Sequence, residues 1–205
     1  MDKVCLPTRE DFLSVVPATA ALATLERNWS ANHGKGLVIR KWLQKHALFD
    51  FVIIDTPPLL GVLMINALAA CDHLIIPCQT EFLALYGLER TMSTLAMVAK
   101  HHGFSVTLVP TFFDKRTRAS VDSLRLLRQS YPQVVWPSYI PIDTKLRDAA
   151  RTGLTPVSLP SRGVEAYQRL LKYFVKQHIF SHHEPIFSAE SGSQLITGIR
   201  KGTSD

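Results

Sequence analysis

The sequence predicts an α/β fold, a doubly wound and mostly parallel sheet with helices on both faces. Three observations carry that expectation. Short apolar runs alternate with helix-period stretches along the chain. Several of the runs are continuously apolar rather than alternating, as strands covered on both faces should be. The clearest of them, Phe51-Val52-Ile53-Ile54, ends in an acid, Asp55, and is followed by Pro57-Pro58. Proline has no N–H to offer a ladder, so a strand there must stop and the chain must turn.

The first helix expected is amphipathic. Val38 and Trp42, like Ile39 and Leu43, lie four apart, with Arg40, Lys41, Gln44 and Lys45 turned outward. Phe51–Asp55 then reads as a buried strand, Leu74–Pro77 as a second and Val106–Phe112 as a third, with Val134–Ile140 as a shorter one. Between the second and third strands, Leu85, Leu88, Met92, Leu95 and Val98-Ala99 mark a helix that should end near Gly103. Val121, Leu124, Leu126 and Leu127 mark another, which Pro132 should stop. Val164, Tyr167, Leu170-Leu171 and Phe174 mark the last. A single domain over residues 1–178 is expected, with the polar, aperiodic residues 179–205 as a mobile tail.

With 205 residues the chain fits one domain. No apolar run reaches the roughly 20 residues needed to span a bilayer, and the first ten residues lack the apolar segment of a secretory signal. Cys5, Cys71 and Cys78 are odd in number and form no C-x-x-C pair, which argues against disulfides and zinc. A cytoplasmic protein is the expectation. The net charge of +6 is compatible with a nucleic-acid or anionic partner, and equally with an ordinary solvated surface.

Ligands of open parallel sheets bind at the carboxyl ends of the strands. Asp55, at such an end, has the position of an acid that holds Mg²⁺ through water. Its other reading is an acid that caps the next helix or is merely exposed. His101-His102 and His182-His183 lack partners for a metal. Cys71 and Cys78 read as small core residues, and Trp42 and Trp136 as packing residues.

A longer set of segments resembles one known family. Asp55-Thr56-Pro57-Pro58, then Asn66-Ala67-Leu68 and Ile75-Ile76-Pro77, lead to Gln79-Thr80-Glu81-Phe82-Leu83-Ala84-Leu85-Tyr86-Gly87-Leu88-Glu89. Further on come Pro110-Thr111-Phe112-Phe113-Asp114-Lys115-Arg116-Thr117-Arg118-Ala119-Ser120 and Ile140-Pro141-Ile142-Asp143-Thr144-Lys145-Leu146-Arg147-Asp148-Ala149. Ser161-Arg162-Gly163 closes the set, and the likeness runs from about Phe12 to Phe174. Together these resemble the ParA/MinD (Soj-like) P-loop ATPases, and the later segments resemble most the chemotaxis-cluster ParA-like protein, ParC. The resemblance implies a P-loop NTPase-like sheet, ATP and Mg²⁺ as cofactors, and a homodimer. It also implies partitioning or positioning of chromosomes, plasmids or chemotaxis arrays with a ParB-like or array partner.

One part of the family pattern is not found. No stretch of the 205 residues reads K-G-G-x-G-K-[ST], the loop whose amides cradle phosphates and whose lysine neutralises them. Gly34-Lys35-Gly36 has the wrong spacing and reads as a turn before a helix. The expectation is therefore an N-terminally truncated member, lacking the first strand–loop–helix unit. It should have no intact catalytic set, no ATP hydrolysis of its own, an unpaired sheet edge and exposed apolar helix faces. The alternative is a non-enzymatic remnant or partner-binding module of the same fold.

For individual residues the resemblance implies Asp55 as the Walker B aspartate. It implies Thr111, Pro141, Ile142 and Asp143 as a base pocket, or equally as strand-end loops that shape the fold. It implies Arg116, Arg118, Lys145 and Arg147 as contacts to DNA phosphates without sequence preference, or else as a solvated charged surface. A MinD-like membrane-surface mode would need a C-terminal amphipathic helix, of which residues 180–205 show little.

Overall fold

The computed structural model describes residues 4–30, 36–45, 49–56, 61–99, 103–152 and 160–177. Within it the chain divides into two compact units, Met1–Ala70 and Cys71–Asp205. No described helix is long and apolar enough to cross a membrane.

The first unit opens with a two-residue antiparallel hairpin, β1 (Leu6–Pro7) and β2 (Ser14–Val15), paired Leu6 to Val15 and Pro7 to Ser14. Three helices follow: α1 (Ala21–Ser30), α2 (Val38–Lys45) and α3 (Val62–Ala70). Asn66, fully buried in α3, ties two of them together. Its Oδ1 accepts from the N–H of Val38 at 2.8 Å, one of the first-turn donors of α2 that no helical carbonyl can reach. Its Nδ2 donates to the Val62 carbonyl at 2.9 Å.

Residues 51–56, expected as a strand, form no ladder. Phe51 is 62% and Ile53 94% exposed. Extended backbone becomes a strand only where a neighbour takes its N–H and C=O groups. Among the described residues the one ladder of this unit is the two-residue hairpin, and residues 51–56 are not part of it. Pro57-Pro58, Gly34-Lys35, His101-His102 and residues 178–205 lie outside the described residues.

The second unit is the α/β part. Strand β3 (His73–Gln79) runs parallel to β4 (Ser105–Thr111) in unbroken register from His73–Ser105 to Gln79–Thr111. The crossover that parallel pairing demands is α4 (Phe82–Ala99). Three further helices are described in the unit: α5 (Arg118–Ser130), α6 (Thr144–Thr152) and α7 (Arg162–Lys176). Val109, Trp136, Ile140, Ala166, Leu170 and Phe174 form a buried cluster between β4, the chain after α5, and α7. Among the described residues β3 pairs with β4 alone, so its other side is a sheet edge. Phe82, Leu83, Tyr86, Tyr167, Leu171 and Val175 leave apolar surface exposed on α4 and α7.

The expected short strand Val134–Ile140 is present only as isolated contacts with β4. Leu108 donates to the Val134 carbonyl at 2.8 Å and accepts from Trp136 at 2.9 Å, and the Ile140 N–H donates to the Pro110 carbonyl at 2.8 Å. A continuous ladder would need a donor from position 110 on that side, and Pro110 has none.

His73 starts β3 as a half-buried ring. One ring nitrogen pairs with the Ser105 hydroxyl, the other lies 3.0 Å from Thr107 Oγ1, and the ring packs edge-on against Phe174. Burial pushes its pKa down to about 4. An unfolded chain takes up the proton near pH 6.5, whereas the folded one refuses it until about 4. Stability should therefore be unaffected by this group above pH 6.5 and fall as the pH drops from there toward 4. Urea-unfolding midpoints measured across that range should decline in the wild type and decline less in His73→Leu; parallel curves for the two would contradict the assignment.

Candidate functional site

The carboxyl end of β4 leads into a loop that the core holds at several points. Phe112 has φ 51°, a left-handed conformation that is strained for a side chain of this size. That residue turns the chain sharply out of the strand. Phe113 is recaptured at once, its N–H donating to the Ile140 carbonyl at 3.1 Å and its carbonyl accepting from Ile142 at 3.2 Å. Its ring packs on Tyr139 with centroids 4.2 Å apart. The N–H of Asp114 donates to Ser120 Oγ at 3.1 Å, and that hydroxyl lies 2.6 Å from the buried Thr80 Oγ1.

Beside this loop lies a cleft of about 390 Å³ lined by ten residues. Its aromatic and apolar lining residues are Phe113, Tyr139, Pro141 and Ile142. Its charged lining residues are four cations, Lys115, Arg116, Arg162 and Arg169, against two carboxylates, Asp114 and Glu165. A concave site of this composition attracts anions that also carry a flat or apolar part. The Asp114 carboxyl is held down to about 2, chiefly by its hydrogen bonds from the Arg116 side chain.

Of the expected base-pocket residues, Pro141 and Ile142 line the cleft and Thr111 and Asp143 are not among its lining residues. Thr111 ends β4, and its carbonyl accepts from the Thr80 N–H at 3.1 Å. Asp143 is engaged by two helices. Its Oδ1 accepts from the Lys145 N–H of α6 at 2.9 Å, and its Oδ2 from the Gly163 N–H of α7 at 2.7 Å. Burial opposes its ionisation, but the hydrogen bonds from Gly163, Ser161 and Lys145 prevail and hold its pKa below the usual carboxylate value. Gly163 permits the approach: a Cβ there would come within 2.6 Å of Leu146 Cδ1 and 2.9 Å of Asp143 Oδ2.

Of the expected DNA contacts, only Arg116 lines the cleft. Arg118 is almost wholly exposed at the start of α5, 3.4 Å from Asp122. Lys145 Nζ donates to the Pro160 carbonyl at 3.1 Å, and Arg147 is exposed on α6. Lys115, Arg162 and Arg169 were not anticipated. Arg162 and Arg169 sit seven apart, hence on one side of α7, and that spacing was the available signal.

Asp55 belongs to the other unit. It is exposed on residues 51–56, outside any ladder. Among the described residues no three His, Cys, Asp or Glu side chains gather where a metal ion could sit. Burial pushes the Cys71 and Cys78 thiols up to about 11, so neither is a ready nucleophile.

Comparison with known proteins gives a consistent picture. An AAA domain family model matches residues 1–108. The chain is 33% identical over 172 residues to the sporulation initiation inhibitor protein Soj of Bacillus subtilis, which covers 80% of this chain and 68% of Soj. It is 30% identical over 177 residues to the chromosome partitioning protein ParA of Myxococcus xanthus, covering 83% and 62%. Among solved structures it resembles a cobyrinic acid a,c-diamide synthase from Mycobacterium smegmatis with bound ATP analogue and magnesium. There the identity is 29%, the TM-score 0.71, and the coverage 89% of this chain and 69% of that one. A plasmid partition protein from Borrelia burgdorferi bound to AMPPNP shares the fold, at 20% identity and TM-score 0.73 over 86% and 69%. The chain thus spans about two thirds of the length of these proteins.

The double cap on Asp143 has a measurable consequence. Asp143→Ala should destabilise the second unit by about 1–3 kcal/mol, since two helix starts lose their acceptor at once. Asp143→Asn, which keeps one acceptor oxygen, should cost less in the same denaturant titration.

Proposed function

The chain belongs to the ParA/MinD family of P-loop ATPases, a family of partitioning and positioning proteins, and from that membership we propose that it serves in positioning a cellular cargo. The 205 residues by themselves would act as a surface module that binds nucleic-acid phosphate without hydrolysing ATP. The observation that carries this reading is the cleft. Four cations converge there beside a loop anchored to the core, at the carboxyl end of a parallel strand. The basic balance of the whole chain, with a pI near 9.4, favours the same partner. Arg116 would make its phosphate contact from the cleft, and Arg118, Lys145 and Arg147 would extend the contact beyond it. Pro141 and Ile142 offer the apolar wall against which a base could lie, with Thr111 and Asp143 shaping the loops behind.

Mg-ATP fits these residues poorly. Asp55 could hold Mg²⁺ through water, but the sequence holds no K-G-G-x-G-K-[ST] loop whose amides and lysine would hold the phosphates. Phosphoryl transfer depends almost wholly on such positioning, and no catalytic step follows from what is present. In the wording of Asp114–Ser120 and Pro141–Ala149 the chain resembles the chemotaxis-cluster members, so chemotaxis arrays are the cargo proposed. A homodimer is proposed with it, and a ParB-like or array protein as its partner.

Three measurements test this. The purified chain should show no ATP turnover above background, and calorimetry with Mg-ATP should give little heat; turnover abolished by Asp55→Ala would overturn the non-hydrolytic reading. The same chain should retard duplex DNA at low ionic strength, with affinity falling steeply as salt rises. If duplex DNA is not retarded even at the lowest salt, the phosphate-binding reading fails.

A further inference from the structure

Arg116 reaches the cleft already bonded. Its Nε donates to Asp114 Oδ1 at 2.9 Å and to Oδ2 at 3.2 Å, and its Nη2 donates to Oδ2 at 2.7 Å. Its backbone N–H also donates to Oδ1, at 3.0 Å. A guanidinium has five N–H groups in one plane. The carboxylate takes Nε and one side of Nη2, so the edge formed by Nη1 and the far side of Nη2 stays open among the described residues. That edge has the geometry that meets two oxygens of a phosphate.

The carboxylate is itself fixed from the core. Asp114 donates its N–H to Ser120 Oγ, and Ser120 and Thr80 are both buried and bonded to each other. The Asp114 carbonyl accepts from both the N–H and the hydroxyl of Thr117, each at 3.2 Å. Core thus holds loop, loop holds carboxylate, and carboxylate holds a guanidinium on a side chain that is 81% exposed. Exposed ion pairs add little to stability. What this one changes is the freedom of Arg116, because a free arginine would have to lose its rotamer entropy on meeting a ligand.

We propose that Asp114 is a positioning residue for phosphate binding: it pre-orders Arg116 so that the open Nη edge is presented at the cleft shared with Lys115, Arg162 and Arg169. The inference rests on the phosphate-binding reading above and adds to it the device that makes one arginine of the cleft a directed contact. It also reverses an ordinary electrostatic expectation. Removing a carboxylate from a surface that binds a polyanion should tighten binding; here it should weaken it.

The test is a double-mutant cycle on the 205-residue chain, with a short duplex of random sequence as probe and fluorescence anisotropy over a series of salt concentrations. Asp114→Asn keeps the acceptor for the Arg116 backbone N–H and so should preserve the loop, which thermal melts of each variant would verify. Asp114→Asn should weaken binding roughly threefold or more. It should also lower the slope of log K against log salt by about one, as Arg116→Ala should. In an Arg116→Ala background Asp114→Asn should bring no further loss, since the carboxylate then has nothing to hold. Tighter binding by Asp114→Asn, or an equal loss whether or not Arg116 is present, would overturn the positioning role while leaving the phosphate-binding reading intact. No binding by the wild type would sink both.

Discussion

Everything in the second unit is arranged about β4. Five consecutive residues, Val106 to Pro110, are buried, so the strand must find hydrogen-bond partners within the protein for its backbone. In a parallel ladder the two backbone groups of a residue point to the same side, and sides alternate along the strand. Thr111 faces β3, accepting from Thr80, whereas Leu108 and Pro110 face residues 134–140. The one residue of β4 without an N–H therefore falls on the side where pairing is broken, and the unbroken register is with β3. That choice of sides lets a proline occupy a buried strand. It also frees the chain after Trp136 to turn, so that Ile140–Ile142 meet Phe113 at the strand's end and line the cleft.

The elements legible in the sequence were those with a period. In α2, α4, α5 and α7 apolar residues recur three and four apart, and β3 and β4 were continuous runs. Three helices went unread, each for its own reason. In α3, Val62–Ala70, only Asn66 is polar, so no polar face sets a phase. In α6, Thr144–Thr152, Leu146 and the buried Ala149 are almost the whole apolar face. In α1 Leu22, Leu25 and Trp29 do recur three and four apart, but the helix is short and they are its only large apolar residues. The opposite failure is Phe51–Asp55, apolar enough for a buried strand yet exposed, because a strand is defined by a neighbour that its own residues do not encode.

The site was legible as a neighbourhood more than as a set of roles. The segments around Asp114–Ser120 and Pro141–Ala149 stood out, and Phe113's bonds to Ile140 and Ile142 bring the two together. What the chain order conceals is which side chains share the cleft. Arg162 and Arg169 come from a helix that was marked by its apolar residues alone, and Lys145, within the conspicuous segment, is tied instead to the Pro160 carbonyl. Partnerships across 20 residues, such as Asp143 with Gly163, leave no periodic trace.

Two carboxylates at the end of this unit show why residue type alone underdetermines role. Asp143 and Asp114 are both held ionised below the usual range, and both bond a backbone N–H two residues on. Their second partners differ. Asp143 meets the first turn of α7, where the helix dipole and unpaired amides welcome a negative charge, and its charge is consumed in joining two helices. Asp114 meets an exposed guanidinium, and only one edge of that cation is consumed. Neutralising the first breaks a joint of the fold. Neutralising the second leaves the fold and releases an arginine, so its effect should be read in ligand affinity rather than in stability. The difference follows from where the chain places each partner: Gly163 is bonded to the core through its helix, whereas among the described residues the bonds of the Arg116 guanidinium go to Asp114.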